Sequence, residues 1–374
     1  MAVDSSIQRI TRLTPLSAIL ALIESRVVAV APRKSAVAVA LGRTLAEDVV
    51  AAQLPTLTIA LREGFAVEAG AIADAGPYSP VPFASKPQRV EVGEPLPSGA
   101  DAVAPFDAIQ ERGDRAEAIA AVSPGEGVLA AGGDCTPRTL LRRAGERVRA
   151  IDIAVIAAAG ITEVTVRSPR ILIACGSTTK TPLIGSALDA LARAAAAVGC
   201  TVLEARREEG GFDRALADES ADAVIALGGT GSGRRDAAVK TLARLGQVEA
   251  HGIAVSPGET AAFGFAGARP VLLIPGRLDA ALAIWLLIGR HLVAKLAGGG
   301  IADLPATLPL KRKVTSTIGL TELVPVSCAG GVAEPLASGY LSLESLARSD
   351  GWIVVPAGSE GFAAGTPVAV RSWP

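Results

Sequence analysis

The chain has 374 residues, of which half are apolar and a fifth are charged, and its formal net charge is −1. This length and composition predict a globular protein of two or three domains rather than a disordered chain, and the near-neutral charge excludes a general nucleic-acid binder, which would carry a basic face. Four dispersed cysteines without a CxxC pair, and only two histidines, argue against a disulfide framework and a zinc site, so the cytoplasm is the expected compartment.

The N-terminal segment predicts a helix at residues 14–28, because apolar residues recur there at helical spacing. Thr14 is the expected N-cap and Pro15 the first helical residue. Residues 36–52 predict a short amphipathic turn or helix that leads into a strand. A further helix is expected at 150–159, after loops rich in glycine.

Residues 54–127 differ in composition from the segments on either side, since nine prolines separate short β-like runs there. Prolines end strands and initiate turns, so this stretch predicts a small β-rich insert domain.

From Pro169 onwards, strands and helices alternate. Strands are predicted at 171–174, 201–205 and 223–227, with a helix capped by Ser186 and stopped at Gly199 between the first two. The elements that follow are a helix at 237–245, strand-like runs at 252–255, 261–265 and 271–274, and a long apolar helix at 278–297.

This alternation predicts a mostly parallel, doubly wound sheet within a multi-domain α/β protein. The most apolar part of the long helix, 278–289, is too short to span a bilayer, and the N-terminus lacks a signal-peptide pattern, so no membrane segment is expected. Residues 303–374 predict a small β barrel, with helical periodicity only at 342–348.

Three loops should meet at the carboxyl ends of the strands, at residues 175–179, 228–236 and 275–278. The middle loop has four glycines in six residues and then reads Arg234, Arg235 and Asp236. Glycines let backbone N–H groups approach a ligand, and the helix N-terminus behind them favours anions. The loop therefore predicts a phosphate site, with Asp236 available to a metal ion. The alternative is a turn that only joins strand to helix, since neither the G-x-G-x-x-G fingerprint nor a P-loop is complete.

Several further stretches carry specific motifs. Residues 40–49 read Ala-Leu-Gly-Arg-Thr-Leu-Ala-Glu-Asp-Val, residues 63–66 read Glu-Gly-Phe-Ala, and residues 93–103 read Gly-Glu-Pro-Leu-Pro-Ser-Gly-Ala-Asp-Ala-Val. Together with the α/β segment and the C-terminal residues 338–358, these motifs resemble the molybdopterin molybdenumtransferase family, which includes bacterial MoeA and the E domain of gephyrin and plant Cnx proteins. The resemblance covers nearly the whole chain.

The resemblance implies an elongated four-domain homodimer that takes adenylylated molybdopterin and molybdate, uses Mg²⁺ and releases AMP. Its cleft would lie between the α/β domain and the insert domain of the other subunit. The implied domains are an N-terminal dimerisation domain (1–53 plus 128–168), the β-rich insert (54–127), a molybdopterin-binding α/β domain (169–302) and the C-terminal barrel (303–374).

The resemblance also implies roles for individual residues. The catalytic residues would be Asp236, Glu63 and Glu209, of which Asp236 and Glu209 would also hold the metal. The pterin would be bound by residues of the glycine loop and of the neighbouring loops, namely Gly228, Gly229, Thr230, Gly231, Ser232, Gly233, Arg235, Ser177, Pro257, Gly258, Pro275, Gly276 and Arg277.

Several charged groups depart from the family pattern. The family's Ser-Thr-Gly-Asp-Glu is replaced at 174–178, so two carboxylates are missing, and its Lys-Pro-Gly-Lys-Pro is replaced by Ser-Pro-Gly-Glu-Thr at 256–260. Leu-Pro-Gly-Asn-Pro becomes Ile-Pro-Gly-Arg-Leu at 274–278, and Glu63 stands where the family has Asp. The loop sequence Gly-Gly-Thr-Gly with Arg235 and Asp236 is also similar to the sister adenylyltransferase family, which binds the same pterin.

Two functions follow from these observations. The first is a molybdenumtransferase-like enzyme. The second is a non-catalytic carrier or scaffold that binds molybdopterin or the finished cofactor. Expected partners are a second copy of the chain, the small pterin ligand and either a molybdopterin adenylyltransferase or a molybdoenzyme, with no nucleic acid and no membrane.

Overall fold

The computed structural model describes residues 8, 10–176, 182–206, 211–233, 236–301 and 303–373. The chain forms two compact units, one made of Met1–Glu47, Ala144–Ala150 and Glu163–Pro374 and the other of Asp48–Arg143 and Ile151–Thr162. No helix among the described residues is long and apolar enough to cross a membrane.

The described residues form short helices and many short strands. The helices are α1 (Leu16–Arg26), α2 (Ala150–Ala158), α3 (Pro182–Ala197), α4 (Gly211–Ala217), α5 (Ala238–Leu245), α6 (Leu278–Ile284), α7 (Arg290–Leu296) and α8 (Leu343–Ala347). The strands up to residue 167 are β1 (Arg33–Ala36), β2 (Thr44–Leu45), β3 (Val49–Ala51), β4 (Ile59–Ala60), β5 (Gly64–Val67), β6 (Val81–Pro82), β7 (Arg89–Val90), β8 (Ala102–Ala104), β9 (Ile109–Arg112), β10 (Arg115–Ala118), β11 (Val128–Leu129), β12 (Thr139–Arg142) and β13 (Glu163–Arg167). The later strands are β14 (Arg170–Cys175), β15 (Thr201–Arg206), β16 (Ala223–Leu227), β17 (Gln247–His251), β18 (Val255–Ser256), β19 (Ala262–Ala266), β20 (Arg269–Ile274), β21 (Ala306–Pro309), β22 (Val314–Thr315), β23 (Thr321–Ser327), β24 (Glu334–Pro335), β25 (Gly351–Val355), β26 (Gly361–Phe362) and β27 (Pro367–Ser372).

A six-stranded sheet forms the centre of the larger unit, in the spatial order β15-β14-β16-β20-β19-β17. The first four strands are parallel, and β19 and β17 are added antiparallel at one edge. Alternate strand residues enter two separate cores, so helices cover both faces. Ile171 and Ile225 pack with α1, α3 and α6, whereas Leu172 and Val224 pack with α4 and α5. The predicted doubly wound, mostly parallel sheet is confirmed.

The long apolar helix predicted at 278–297 is continuous but not uniform. It widens into a π turn over Trp285–Gly289, between α6 and α7. The side chain of Trp285 is fully buried, and a Cβ atom on Gly289 would lie 2.5 Å from its ring. Only glycine leaves room for the indole at this point, so the wider turn and the glycine are fitted to the tryptophan.

The C-terminal segment is β-rich, as expected. Strands β23, β25, β27 and β21 are antiparallel neighbours, while β18 from the α/β segment extends this sheet in parallel to β23 and β24 also pairs with β23. Helix α8 lies within the predicted 342–348, and Ser342 caps it by accepting a hydrogen bond from the N–H of Ser345.

The smaller unit is also built mainly from short strands. Its sheets are β6-β10-β9, β7-β5-β8, β11-β4 and β12-β3. Its main apolar core gathers residues such as Phe65, Ile72 and Ile109. The β character predicted for residues 54–127 is therefore present.

Some local predictions were wrong. Thr14 is not the cap of α1, because its backbone pairs with that of Gly252 and Ala254, and Pro15 takes the N-cap position. Ser186 lies inside α3, where its hydroxyl donates to the carbonyl of Pro182. The strand expected at 252–255 is reduced to Val255–Ser256, and β17 (Gln247–His251) was not predicted.

Candidate functional site

The candidate site lies where the strand order of the six-stranded sheet reverses. The chain leaves β14 for β15 on one side and returns to β16 on the other side. In open α/β sheets, ligands bind in the crevice outside the carboxyl ends of the strands at such a point. Here that edge carries Gly176 after β14, Gly228 after β16 and Pro275 after β20.

Glycine is required where these strand ends meet. The N–H of Gly176 donates to the carbonyl of Leu227 at 2.8 Å, and the N–H of Gly228 donates to that of Ile274 at 2.7 Å. A Cβ atom on Gly229, which has a φ of +75°, would lie 2.2 Å from the carbonyl oxygen of Gly176. The loops after β14, β16 and β20 are therefore in direct contact, as predicted for the residues described.

The glycine loop is anchored through Thr230, which is only 2% exposed. Its hydroxyl lies 3.1 Å from that of Thr260, and its carbonyl oxygen lies 2.9 Å from Nε2 of His251. The first contact connects the loop to the 256–260 segment, where Pro257 and Gly258 are buried, and the second connects it to the end of β17. The sequence offered no reason to single out His251 or Thr260, since their partners are 21 and 30 residues away.

Asp236 makes two hydrogen bonds to Gly233 within the glycine loop. Its Oδ2 atom accepts a hydrogen bond from the N–H of Gly233 at 2.9 Å, and its own N–H donates to the carbonyl of Gly233 at 3.0 Å. A Cβ atom on Gly231 would lie 2.7 Å from this Oδ2. The carboxylate is half-buried, so it is fixed in place while part of its surface still faces solvent.

The N-terminus of α5 is partly occupied by protein oxygens. The N–H of Ala238 donates to the carbonyl of Gly229 at 3.0 Å, and that of Lys240 donates to Oε1 of Gln8 at 3.1 Å. In the part of the chain that the structure describes, no atom accepts a hydrogen bond from the N–H of Gly231 or Ser232. An anion at this site would therefore rest on the loop N–H groups rather than on the helix end alone.

Gln8 is a site residue that the sequence reasoning missed. The residue is 5% exposed, and its carboxamide donates to the carbonyls of Gly229 at 3.0 Å and Gly231 at 2.9 Å, in addition to accepting from the N–H of Lys240. Three hydrogen bonds from one side chain thus hold the loop to the first turn of α5. No spacing or periodicity could have indicated a contact between residues more than 220 positions apart.

We expect Gln8→Ala to lower the free energy of unfolding by about 1–3 kcal/mol, because the half-buried carbonyl of Gly231 loses its donor and the N–H of Lys240 loses its acceptor. Urea unfolding measures this difference. Gln247→Ala, at an exposed position of the same unit, is the matched control and should change stability by less than about 0.5 kcal/mol. Equal stability of the two variants would contradict a structural role for the Gln8 amide.

Arg277 is held beside the site by its neighbours. Its Nε donates to Oδ1 of Asp279 at 3.1 Å, its Nη2 pairs with Oδ2 of the same carboxylate, and its guanidinium lies 4.8 Å from the ring centroid of Tyr340. The hydrogen bond that Arg277 donates to buried Asp279 is the main reason that the pKa of Arg277 is raised above its usual value. Because the Arg277 side chain is 60% exposed, the cation remains accessible to an anion.

Glu259 lies near this cation and contributes to its raised pKa. Its Oε2 accepts a hydrogen bond from the N–H of Gly258 at 3.1 Å. The 256–260 segment therefore presents a carboxylate close to the edge of the sheet that carries the glycine loop.

The remaining predicted residues are placed as follows. Glu63 is exposed and precedes β5 in the smaller unit. Glu209, Ser177 and Arg235 lie outside the described residues. Among the residues that are described, no group of three or more His, Cys, Asp or Glu side chains could hold a metal ion.

Comparison with known proteins gives matches along most of the chain. Residues 3–160 match the model of the MoeA N-terminal region (domain I and II), residues 181–295 match that of a probable molybdopterin binding domain, and residues 307–373 match that of the MoeA C-terminal region (domain IV).

Individual relatives agree with these models. A Methanocaldococcus jannaschii protein named for molybdopterin biosynthesis is 33% identical over 150 residues, which are 40% of this chain and about a third (36%) of that relative. Molybdopterin molybdenumtransferase 1 of Mycobacterium tuberculosis is 28% identical over 320 residues, covering 75% of this chain and 73% of the relative. A crystal structure of a molybdopterin biosynthesis MoeA protein from Pyrococcus horikoshii aligns with a TM-score of 0.75 at 25% identity, covering 96% of this chain and 99% of that one.

Proposed function

This chain belongs to the MoeA family, and we propose that it acts in molybdenum cofactor biosynthesis by inserting molybdate into adenylylated molybdopterin with release of AMP. In this reaction the phosphoanhydride bond to AMP is hydrolysed and molybdenum becomes bound by the two dithiolene sulfurs. The observation that carries the proposal is the glycine loop at the point where the strand order reverses, within the segment that matches a molybdopterin binding domain.

The loop supports a role in phosphate binding through its backbone. The N–H groups of Gly231 and Ser232 are the candidates to donate to a phosphate oxygen of the substrate. Hydrogen bonds of Gln8, Thr230 and Asp236 already fix the loop. It therefore loses little conformational entropy when it binds the phosphate, which favours affinity. The rest of the pterin site would be lined by Pro257, Gly258, Pro275, Gly276 and Arg277, together with Ser177 and Arg235.

The donor set at Asp236 is compatible with Mg²⁺. This ion usually takes one or two carboxylates, keeps several waters and completes its coordination with substrate phosphates. Asp236 offers one carboxylate next to the proposed phosphate position, and Glu209 is proposed as the second. When bound, Mg²⁺ would neutralise phosphate charge, while the protein fixes the position of Asp236 through Gly233.

The charges of the residues proposed to lie near molybdate differ from the family pattern. Two lysines of the family are replaced by Ser256 and Glu259, and one cation, Arg277, is gained. Opposite unit charges about 4 Å apart interact by about 4 kcal/mol at an effective dielectric constant of about 20, and solvent exposure lowers this value. We therefore propose that Arg277 provides attraction for molybdate and that Glu259 opposes it.

The variant Glu259→Lys restores the family's charge at this position. We expect it to lower the KM for molybdate by at least about tenfold, because a repulsive carboxylate is replaced by a cation beside the anion. Steady-state kinetics with molybdate as the varied substrate measures this change.

The control is Glu219→Lys, which makes the same change of net charge at an exposed loop residue. It should leave the KM for molybdate unchanged. The same KM in the wild type and in Glu259→Lys would place molybdate away from the 256–260 segment.

The remaining parts of the proposal concern assembly and location. A homodimer of four-domain subunits, with Glu63 reaching the cleft of the other subunit, is proposed from the family resemblance. A cytoplasmic location is proposed because none of the four cysteines forms a disulfide. A molybdopterin adenylyltransferase is the proposed supplier of substrate and a molybdoenzyme the proposed recipient of the cofactor.

The test is a reconstitution assay with purified protein, adenylylated molybdopterin, molybdate and Mg²⁺. We expect AMP release and a product that activates a cofactor-free molybdoenzyme, with neither result when molybdate is omitted from the reconstitution mixture. The non-catalytic carrier is not favoured by the comparisons, since several of the relatives are named as transferases. Pterin binding without AMP release would reverse that preference.

A further inference from the structure

A polar cavity of the larger unit lies where β18 joins the C-terminal sheet. It has a volume of about 290 Å³, and hydroxyl side chains make up most of its lining. Among the described residues that line it, Glu322 is the one that carries a charge. Ser256 of β18 pairs in register with Glu322 of the parallel strand β23, so these two side chains lie next to each other on the same face of the sheet.

The carboxylate of Glu322 is buried, and only one of its oxygens is used. Oε1 accepts hydrogen bonds from the hydroxyl of Ser338 and from the N–H of Gly339, both at 2.7 Å, and these bonds explain how the side chain is held. In the described part of the chain, no atom donates to Oε2 and no basic side chain forms an ion pair with this carboxylate. Because the residue is only 4% exposed, its charge is largely withdrawn from water without a protein cation to balance it.

Two hydroxyl groups of the same cavity also lack partners. Ser256 is 7% exposed, and its hydroxyl makes no hydrogen bond to any residue that the structure describes. The Oγ atom of Ser316 is fully buried and has no partner either. Buried polar side-chain atoms usually have a hydrogen-bond partner. The cavity therefore holds three unused acceptors, which are Oε2 of Glu322 and the two serine oxygens.

We propose that this cavity binds an ammonium group, with Oε2 of Glu322 and the hydroxyls of Ser256 and Ser316 as its acceptors. A primary ammonium donates three hydrogen bonds and accepts none, and its single charge balances one carboxylate. The family pattern has a lysine where this chain has Ser256, so the substitution removes an ammonium group from this position.

The ligand is either the ammonium ion or a small primary amine. The cavity is larger than one ammonium ion, which needs about the 30 Å³ of a water molecule, and Leu320 offers an apolar wall to a short alkyl group. The same carboxylate repels phosphate and molybdate. The cavity therefore takes a ligand of opposite charge to the groups bound at the pterin site, and the proposal does not rest on the reaction proposed there.

Isothermal titration calorimetry at low ionic strength tests this proposal, with ammonium chloride and methylammonium chloride as the probes. We expect both cations to bind, and tetramethylammonium, which has the same charge but no N–H donor, not to bind. Glu322→Gln keeps an acceptor for Ser338 and Gly339 and should weaken binding at least about tenfold, as for the loss of one charged hydrogen bond. Glu344→Gln removes an exposed carboxylate paired with Arg348 and is the matched control, for which we expect unchanged affinity. Tighter binding of methylammonium would indicate an organic amine, and equal binding would indicate the ammonium ion.

A second variant keeps the proposal testable if Glu322→Gln folds poorly. Ser256→Ala breaks no hydrogen bond to a described residue, so it should keep the wild-type melting temperature in amine-free buffer and weaken methylammonium binding at least about fivefold. Added methylammonium should then raise its melting temperature less than that of the wild type. The proposal is overturned if neither probe binds the wild type, if tetramethylammonium binds as tightly as methylammonium, or if Glu322→Gln and Ser256→Ala both bind methylammonium with wild-type affinity. AMP release by the pterin site is a separate readout and does not enter this test.

Discussion

Replacement of Gly229 by alanine is expected to destabilise the protein by about 2–5 kcal/mol. The φ angle of +75° costs an L-residue about 1–2 kcal/mol, and the new Cβ atom would lie 2.2 Å from the carbonyl oxygen of Gly176 and 3.1 Å from the Cβ of Ala238. Two strand ends would have to separate to admit it. Urea unfolding measures the loss of stability, and calorimetry with molybdopterin measures the accompanying loss of binding.

Gly267→Ala is the matched control for this variant. Gly267 also has a positive φ, of +61°, but a Cβ atom there would meet nothing within 4 Å, so it should cost only about 1–2 kcal/mol. If Gly229→Ala does not fold, Gly231→Ala tests the same loop, because its Cβ would meet only the end of the Asp236 side chain. Pterin binding by Gly231→Ala with wild-type affinity would contradict the assignment of this loop.

Replacement of Asp236 by asparagine is expected to lower kcat/KM for adenylylated molybdopterin about 100-fold. The amide oxygen can still accept from the N–H of Gly233, so the loop should keep its fold, but the negative charge proposed to hold Mg²⁺ is lost. The variant should also need a higher Mg²⁺ concentration for half-maximal rate. Initial rates of AMP release over a range of Mg²⁺ concentrations measure both effects.

Asp213→Asn is the control for the charge change, since Asp213 is a surface residue of α4 paired with Arg244. It should leave the rate and its Mg²⁺ dependence unchanged. The role of Asp236 is refuted if Asp236→Asn retains more than half of the wild-type rate at low Mg²⁺.

The α/β part of the fold could be predicted because its sequence signals are local. Glycines follow the apolar runs at 171–174 and 223–227 within two residues, and apolar residues at helical spacing lie between the runs, which together predict parallel strands with crossover helices. Strand β17 was missed because it follows α5 almost directly and alternates only two apolar residues with polar ones. The π turn at Trp285 was missed because it depends on how one large side chain packs, which periodicity does not report.

The candidate site could be predicted only in part, because the contacts that hold it join residues far apart in the sequence. The glycine loop is contiguous, so its composition alone indicated close backbone contacts and a ligand. The contacts that hold it come from Gln8, His251 and Thr260, and the first of these is more than 220 residues away in sequence. The pairing of Arg277 with Asp279 and Tyr340 likewise depends on the folded arrangement of α6 and the segment before α8.

The family resemblance and the local chemistry both support phosphate binding by the glycine loop. They disagree on the charges of the segments next to it. The glycines, Thr230 and Asp236 form the loop that is proposed to bind phosphate, whereas Glu259 stands where a cation is expected from the family pattern. On this account, substrate binding is retained, and the capture of molybdate depends on Arg277. The kinetic comparison of Glu259→Lys with the wild type tests whether the carboxylate of Glu259 opposes that capture.

The most direct measurement of the central claim is a crystal structure of this protein with adenylylated molybdopterin and Mg²⁺. Our account predicts a phosphate oxygen within hydrogen-bond distance of the N–H of Gly231 or Ser232, with Asp236 at the metal ion. Density for the pterin elsewhere in the molecule, with the 228–233 loop free of ligand, would contradict it.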